Sequence, residues 1–419
     1  MNFPVRHGAR PTVVEDLFRR EFAHLVAALV RLLGPSNLPL AEDVVQEALL
    51  SAMHAWQFEP PRDPKAWILQ TARNRAIDVL RRERRLTALP EDDGSALEGA
   101  IASALSPEEE AASQLAMMFS NCDDALSQET QVTLILRLLC GLSPAEIARA
   151  YLADTQTIDR RLHRGRTRLQ ELGHLQDVTA PAELLARQPS VLNALYLLFN
   201  EGYHGSDSQN PLRPAMCADA IRLAELVLES SRTSHAEAHA LAALFCFDAA
   251  RLPTRLDEDG VFVPLADQDR TRWDRSLIER GVVHLAQSAT GTQASRWHLE
   301  AGIACEHTIA PSVRETDWQR IVDLYDALLA LQPGPIVALN RALALTELRG
   351  PDAGREAIAT VASDARLGGY SFYWAAAADL ERRAGNVAKA RSLFERAMSL
   401  AKSNAERLAY EKKLRLLAN

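Results

Sequence analysis

Cysteine is scarce in this sequence: five residues among 419 (Cys122, Cys140, Cys217, Cys246 and Cys305), odd in number, far apart and without a CxxC pair. That pattern argues against a disulfide framework or a zinc site and for buried reduced thiols. Long apolar runs are missing too. None approaches the roughly 18 to 20 residues that a membrane span takes, and the opening text "MNFPVRHGARPTVVEDLF" lacks the charged, apolar and small-residue order of a signal peptide. A cytoplasmic protein with no membrane association is therefore expected. No segment alternates apolar with polar residues in the manner of a strand. No nucleophile elbow, phosphate loop or paired-carboxylate motif occurs, so neither catalysis nor a cofactor is expected.

Apolar residues recur instead at three- and four-residue intervals, with glycine and proline clustered between the periodic stretches, and this predicts an all-α fold. Two breaks in composition divide it. The text "LTALPEDDGSALEGAIASALSPEEE" at residues 86–110 is acidic, rich in small residues and weakly periodic, which suits a flexible linker. A second break, "LGHLQDVTAPAEL", covers residues 172–184. The expected segments are a small helical domain (11–88), an acidic linker (89–107), a second small helical domain (108–175) and a large helical C-terminal part (182–419).

The formal net charge of -8 conceals two basic patches. Residues 62–85 hold eight basic side chains against three acidic ones, and residues 155–169 hold five arginines against one aspartate. Arginines grouped on a helix face are the electrostatic footprint of nucleic-acid binding, although a single such face serves equally well as a solvated surface. The second patch also has a shape. In "GLSPAEIARAYLADTQTIDRRLHRGRTRLQ", Ser143 and Glu146 make a capping-box pattern and Pro144 suits the first helical position. A short helix ending near Tyr151, a turn, and a longer helix capped by Asp154 make a helix-turn-helix, with Ile158, Leu162 and Leu169 facing a core. Thr155, Gln156, Thr157, Asp159 and Arg160 would meet base edges, and Arg161, Arg164 and Arg168 phosphates.

With "AEDVVQEALLSAMHAW" at residues 41–56 and "PKAWILQTARNRAIDVLRR" at 64–82, the first 175 residues resemble the group IV (extracytoplasmic-function) sigma factors of bacterial RNA polymerase. The motifs are specific jointly and in this order. The resemblance implies a factor without catalysis that binds core RNA polymerase, through the clamp helices of the largest subunit and the flap of the β subunit, together with promoter DNA. It gives Asp43, Gln46 and Glu47 the polymerase contact. Phe58, Asn74, Arg75, Asp78, Arg81, Arg82 and Arg85 would take the minus-10 strand, and the helix-turn-helix the minus-35 element. Trp56 and Trp67 are expected in the domain core.

The C-terminal half reads as helix pairs. "YSFYWAAAADLERRAGNVAKARSLFERAMSLAKSNAERL" fits a tetratricopeptide pattern on Trp374, Ala378, Ala390, Phe394 and Ala397, with weaker copies upstream in which Tyr325 and Pro333 keep register. Further text, including "LYLLFNEGYHGSDSQNPLR" and "DQDRTRWD", is similar to the sigma-factor subgroup (group 42) that carries such an extension. The subgroup implies a regulatory role and a possible protein partner for this part. The text "AARLPTRLDEDG" around Arg251 departs from the subgroup pattern. Asn200, Glu201, Tyr203, Asp267, Gln268, Asp269, Arg270, Trp273, Asn340 and Arg341 form a candidate regulatory pocket, or else a set of caps and buried pairs that fix helix register. His235 and His239 share a helix face without a clear third metal ligand. Beside the sigma factor, a stand-alone helix-turn-helix regulator with a helical sensor stays open; the residues 43–47 and 74–82 have no use in such a protein.

Overall fold

The periodic apolar residues become the buried faces of nineteen α-helices among the described residues, which are 10–56, 61–86, 94–151, 153–172, 180–205, 210–229, 233–290 and 293–417 of this computed structural model. The all-α expectation holds. Among the described residues one antiparallel bridge, Leu256 to Phe262, is the sole β pairing, and no helix is long and apolar enough to cross a membrane. Two compact units divide the chain: Met1–Leu198 with Glu229–Thr233, and Phe199–Leu228 with Ser234–Asn419.

In the first unit, α1 (Arg10–Leu33), α2 (Leu38–Ala55) and α3 (Pro64–Leu86) pack mutually. Leu25, Val26 and Leu29 of α1, Val45, Ala48 and Ala52 of α2, and Ile68, Ala72 and Ala76 of α3 are all buried. Trp56 and Trp67 pack edge to face at 5.5 Å, with Phe18 5.6 Å from Trp56, and so anchor the α2–α3 connection. The segment expected to be a flexible linker is corrected here. Residues 94–104 form α4 (Gly94–Ala104), because Ile101 finds apolar ground on α1 and is fully buried there. Helix α5 (Pro107–Ser120) follows and also lies on α1, where Glu110 accepts from His24 Nδ1 at 2.9 Å and from Lys65 at 3.2 Å.

Helices α6 (Gln128–Leu138), α7 (Pro144–Tyr151) and α8 (Thr155–Glu171) complete the next layer. The α6–α7 turn needs Gly141: its φ is +66°, and a Cβ would sit 2.5 Å from the Arg19 carbonyl of α1. Arg19 seals the same contact by donating to the Cys140 carbonyl at 3.0 Å. Gly165 brings α8 against α6, where a Cβ would meet Leu134 at 2.6 Å. Helix α9 (Pro181–Tyr203) is tied to this unit by its first half: Arg187 donates to the Phe119 carbonyl and Ser190 to Gln131 Oε1. The unit division consequently falls inside α9, beyond the expected boundary at residue 182.

The second unit contains α10 (Pro214–Glu229), α11 (Ala236–Ala250), α12 (Arg275–Ser288), α13 (Arg296–Ile309), α14 (Trp318–Leu331), α15 (Pro335–Arg349), α16 (Pro351–Ala359), α17 (Ser371–Arg383), α18 (Val387–Ser399) and α19 (Asn404–Leu416). From α13 onward each helix packs on the next in the chain. Small successive clusters, around Ile321 and Val322, then Leu339 and Leu380, then Phe394 and Tyr410, replace a single large core. Ala378, Ala390, Phe394 and Ala397 are buried between α17 and α18, the positions that the repeat pattern assigned to packing. Cys122, Cys140, Cys217 and Cys246 are buried free thiols, and burial pushes Cys122, Cys217 and Cys246 up to about 12.

Candidate nucleic-acid interface

On α2 the 3.6-residue period buries Val44, Val45 and Ala48 and turns Asp43, Gln46 and Glu47 to solvent. Leu50 and Met53 stand half exposed one and two turns further along. An exposed acidic stripe running into apolar side chains is a surface for protein rather than for DNA. The sequence reading singled out neither Leu50 nor Met53, and it is their exposure that brings them to notice. Helix α3 opens with Asp63 accepting from the Ala66 amide at 3.0 Å. Its buried face is Ile68, Ala72, Ala76 and Ile77; Asn74, Arg75, Asp78, Arg81 and Arg82 are all exposed and recur at helical spacing as one stripe.

Two members of that stripe have partners. Arg75 pairs with Glu47 of α2 at 2.7 Å, so one expected DNA contact and one expected polymerase contact neutralise each other. Arg81 pairs with Glu98 of α4, an acid of the connecting segment. Both pairs are solvent-exposed and individually weak, on the order of 1 kcal/mol or less. Phe58 lies outside the described residues, as does the side chain of Arg85.

The α7–turn–α8 arrangement is built by its caps. Glu146 Oε2 accepts from the Ser143 amide at 2.7 Å while Ser143 Oγ accepts from the Glu146 amide at 3.3 Å. Asp154 accepts from the Thr157 amide at 2.7 Å and its hydroxyl at 2.9 Å; these bonds hold the Asp154 carboxyl below its ordinary range. Ile158, Leu162 and Leu169 are buried, and Thr155, Gln156, Asp159, Arg160 and Arg164 are exposed, with Thr157 half-buried. The remaining arginines of α8 are engaged inside the unit. Arg161 lies over the Tyr151 ring at 5.1 Å. Arg168 grips both oxygens of the buried Asp123, at 2.9 and 3.1 Å, and acts first as a brace for α8. Arg166 reaches Glu42 of α2 at 2.6 Å. The sequence gives no local sign of these last two pairs, since the partners stand 45 and 124 positions away.

In the second unit the candidate pocket residues separate. Gln268 donates to the Val263 carbonyl and accepts from Thr254, which also accepts from buried Trp273 Nε1 at 2.9 Å, a hydrogen-bonded knot that fixes the loop before α12. Asp269 caps its own turn through Thr271, and Asp267 is exposed. Arg341 pairs with Asp326 of α14 and Asn340 is exposed. Asn200 accepts the His204 amide through its carbonyl, and Glu201 is buried. Tyr203 and Arg270 share a basic cluster with Arg251 and Arg255. His239 bonds to Ser234 and to His284, its two ring nitrogens both at 3.1 Å, and so turns to α12 rather than to His235.

Comparison with known proteins adds three similarities. Residues 17–86 match the family described as Sigma-70 region 2, a span that begins in α1 and ends at the last residue of α3. Residues 187–289 match a family described as of unknown function, DUF6596. The chain is 34% identical over 379 residues to the uncharacterized protein R00370 of Rhizobium meliloti (strain 1021), the alignment covering 89% of each chain.

Proposed function

The chain belongs to the same family as that Rhizobium meliloti protein and carries the region 2 domain of a sigma-70 factor, and on that premise we propose that it is a group IV sigma factor whose C-terminal helical part regulates its activity. Sigma-70 factors bind RNA polymerase and start transcription without being enzymes. One observation carries the proposal: within the matched region, α2 and α3 expose adjoining stripes of unlike chemistry, one acidic and apolar, the other basic and amide-bearing.

Asp43, Gln46, Glu47, Leu50 and Met53 would dock on the polymerase clamp helices. Asn74, Arg75, Asp78, Arg81 and Arg82 would take the minus-10 strand, a role that the resemblance gives to Phe58 and Arg85 as well. A guanidinium pairs well with phosphate and stacks on an unpaired base, which suits a strand being opened. Thr155, Gln156, Thr157, Asp159, Arg160 and Arg164 would enter the minus-35 major groove. Arg161 and Arg168, once expected among the phosphate contacts, serve better to hold the helix in place. The C-terminal helix pairs are consistent with the tetratricopeptide-like extension of group 42.

Run-off transcription with purified core polymerase tests the proposal. A promoter-dependent transcript is expected; tight duplex binding by the chain alone, with no transcript on any candidate promoter, would favour a stand-alone regulator. The double variant Arg81→Ala, Arg82→Ala should keep core affinity and lose open-complex formation, read as permanganate reactivity of the promoter.

A further inference from the structure

Helix α10 carries apolar residues on two sides. Met216, Ala220, Leu223 and Val227 follow one another at four- and three-residue steps and are buried in the second unit. Pro214, Ala218 and Ile221, with Cys217 beside them, repeat the same steps on the other side, and there they line a cavity of about 260 Å³. Ala249 near the end of α11, Leu252 just beyond it and Leu277 of α12 contribute the facing walls. Pro214 and Ala218 are exposed and mark its mouth, while Cys217, Ile221 and Ala249 are buried.

The sizes of the surrounding side chains create this space. Gly281 draws α12 onto α11, since a Cβ there would stand 2.7 Å from the Phe247 ring. Between α10 and α12 the reach is left to an ion pair, Glu225 with Arg280. The methyl groups of Ala218 and Ala249 and the thiol of Cys217 are too short to fill what remains. Helix faces that meet in a folded protein normally fill their contact to crystal-like density, so an apolar void of this size is a departure. Its charged lining residues are already engaged: Arg280 pairs with Glu225, and Arg222 has a partner as well. Cys217 Sγ lies 3.7 Å from the Phe199 carbonyl, and burial pushes its thiol up to about 12, so it stays protonated and uncharged. The walls thus offer apolar contact along their length and a hydrogen-bonding pair at one place.

We propose that this cavity binds a small uncharged molecule, apolar over most of its surface, with one hydrogen-bonding group directed to the Glu225–Arg280 pair. An apolar cavity of about 150 Å³ takes a benzene ring, so one larger by more than half accommodates about ten carbon atoms. Apolar walls with a few placed polar groups, between the helices of a bundle, are the usual setting for such a ligand. A charged molecule would lie against those walls without a counter-ion, at the cost of its hydration. Every lining residue falls within residues 187–289, so the stretch that matches a family of unknown function acquires a ligand-binding task. The site stands on the geometry of the second unit and is independent of what the first unit does.

Calorimetric titration of the full chain with 2-naphthol, a fused pair of rings bearing one hydroxyl, tests it. Saturable binding is expected, together with a rise in the melting temperature of the wild-type chain. Ala249→Leu fills the cavity from its buried wall and Ala218→Phe from its mouth, and each should weaken binding about tenfold or more. The second stands at an exposed position, where a larger side chain leaves the fold intact. Val282→Ser, which removes an exposed apolar side chain of α12 outside the lining, should leave binding unchanged. 2-Naphthoate, the same rings with a carboxylate, should bind about tenfold more weakly than 2-naphthol. Absence of saturable binding by the folded chain, binding indifferent to both cavity-filling variants, or 2-naphthoate held as tightly as 2-naphthol would each overturn the assignment.

Discussion

The five arginines of α8 are identical in sequence terms and divide by what each side chain touches. Arg160 and Arg164 face solvent, Arg161 covers Tyr151, Arg166 reaches Glu42, and Arg168 holds Asp123. Two substitutions should therefore part company. On the sigma-factor proposal, Arg160→Ala should weaken minus-35 binding by roughly 1 to 3 kcal/mol and relax preference at one base pair, while leaving the melting temperature alone. Arg168→Ala should instead lower the melting temperature, because the buried Asp123 loses its partner. Binding to a panel of single-base promoter variants, beside thermal melts of the same proteins, separates the two; a uniform loss for Arg160→Ala would mean a phosphate contact. Nothing in "RRLHRGRTR" distinguishes these arginines, because the distinction resides in acids brought close only by the fold. Gly165 is a similar case: its necessity appears only once Leu134 is seen against it.

Among the elements, those with local chemistry were legible and those stabilised by distant partners were not. Ser143, Glu146 and Asp154 mark the ends of α7 and α8 because a cap is a bond between residues three apart. Helix α4 escaped notice because its stability comes from Ile101 on α1, a contact that a weakly periodic, acidic text does not declare. The neighbouring α5 gives a pH test. The hydrogen bond from His24, with Lys65 close by, holds the Glu110 carboxyl down at about 2 against an ordinary 4.5. A carboxylate with a depressed folded pKa contributes stability that is complete above its unfolded value and is lost as pH falls toward the folded one. Glu110→Gln should thus be less stable than wild type at pH 7, by roughly 1 to 3 kcal/mol, and the gap should narrow between pH 4.5 and pH 2. Burial raises the Glu21 pKa and the Glu110 charge raises it further, so Glu110→Gln also relieves a like-charge repulsion, which trims the effect. Urea unfolding across that range measures it, and a gap independent of pH would remove the assigned role from the His24–Glu110 pair.

For the whole molecule, the all-α class and the repeated helix pairs followed from periodicity, whereas the fixing of Arg270 against the end of α13 did not. Arg270 stands 37 and 40 positions from the His307 and Ala310 carbonyls at the end of α13 that hold it. The contact of Arg166 with Glu42, together with that of Arg19 on the Cys140 carbonyl, joins α8 and the α6–α7 turn to α1 and α2 within one compact unit. A folded body of roughly 200 residues measures about 40 Å across. Promoter elements centred near minus 10 and minus 35 lie about 25 base pairs apart, which is about 85 Å of duplex at about 3.4 Å per pair. The ruler is twice the length of the body. On the sigma-factor proposal the clasp must open before both elements are held, and fluorescent labels on α2 and α8 should move apart when core polymerase is added. Unchanged energy transfer in a transcribing complex would contradict this. The Arg166–Glu42 pair is 31% exposed on its arginine side and 9% on its carboxylate side, so on the same proposal polymerase or promoter DNA would have to offset the cost of leaving Glu42 without its partner, and that ion pair would set the order in which the two are met.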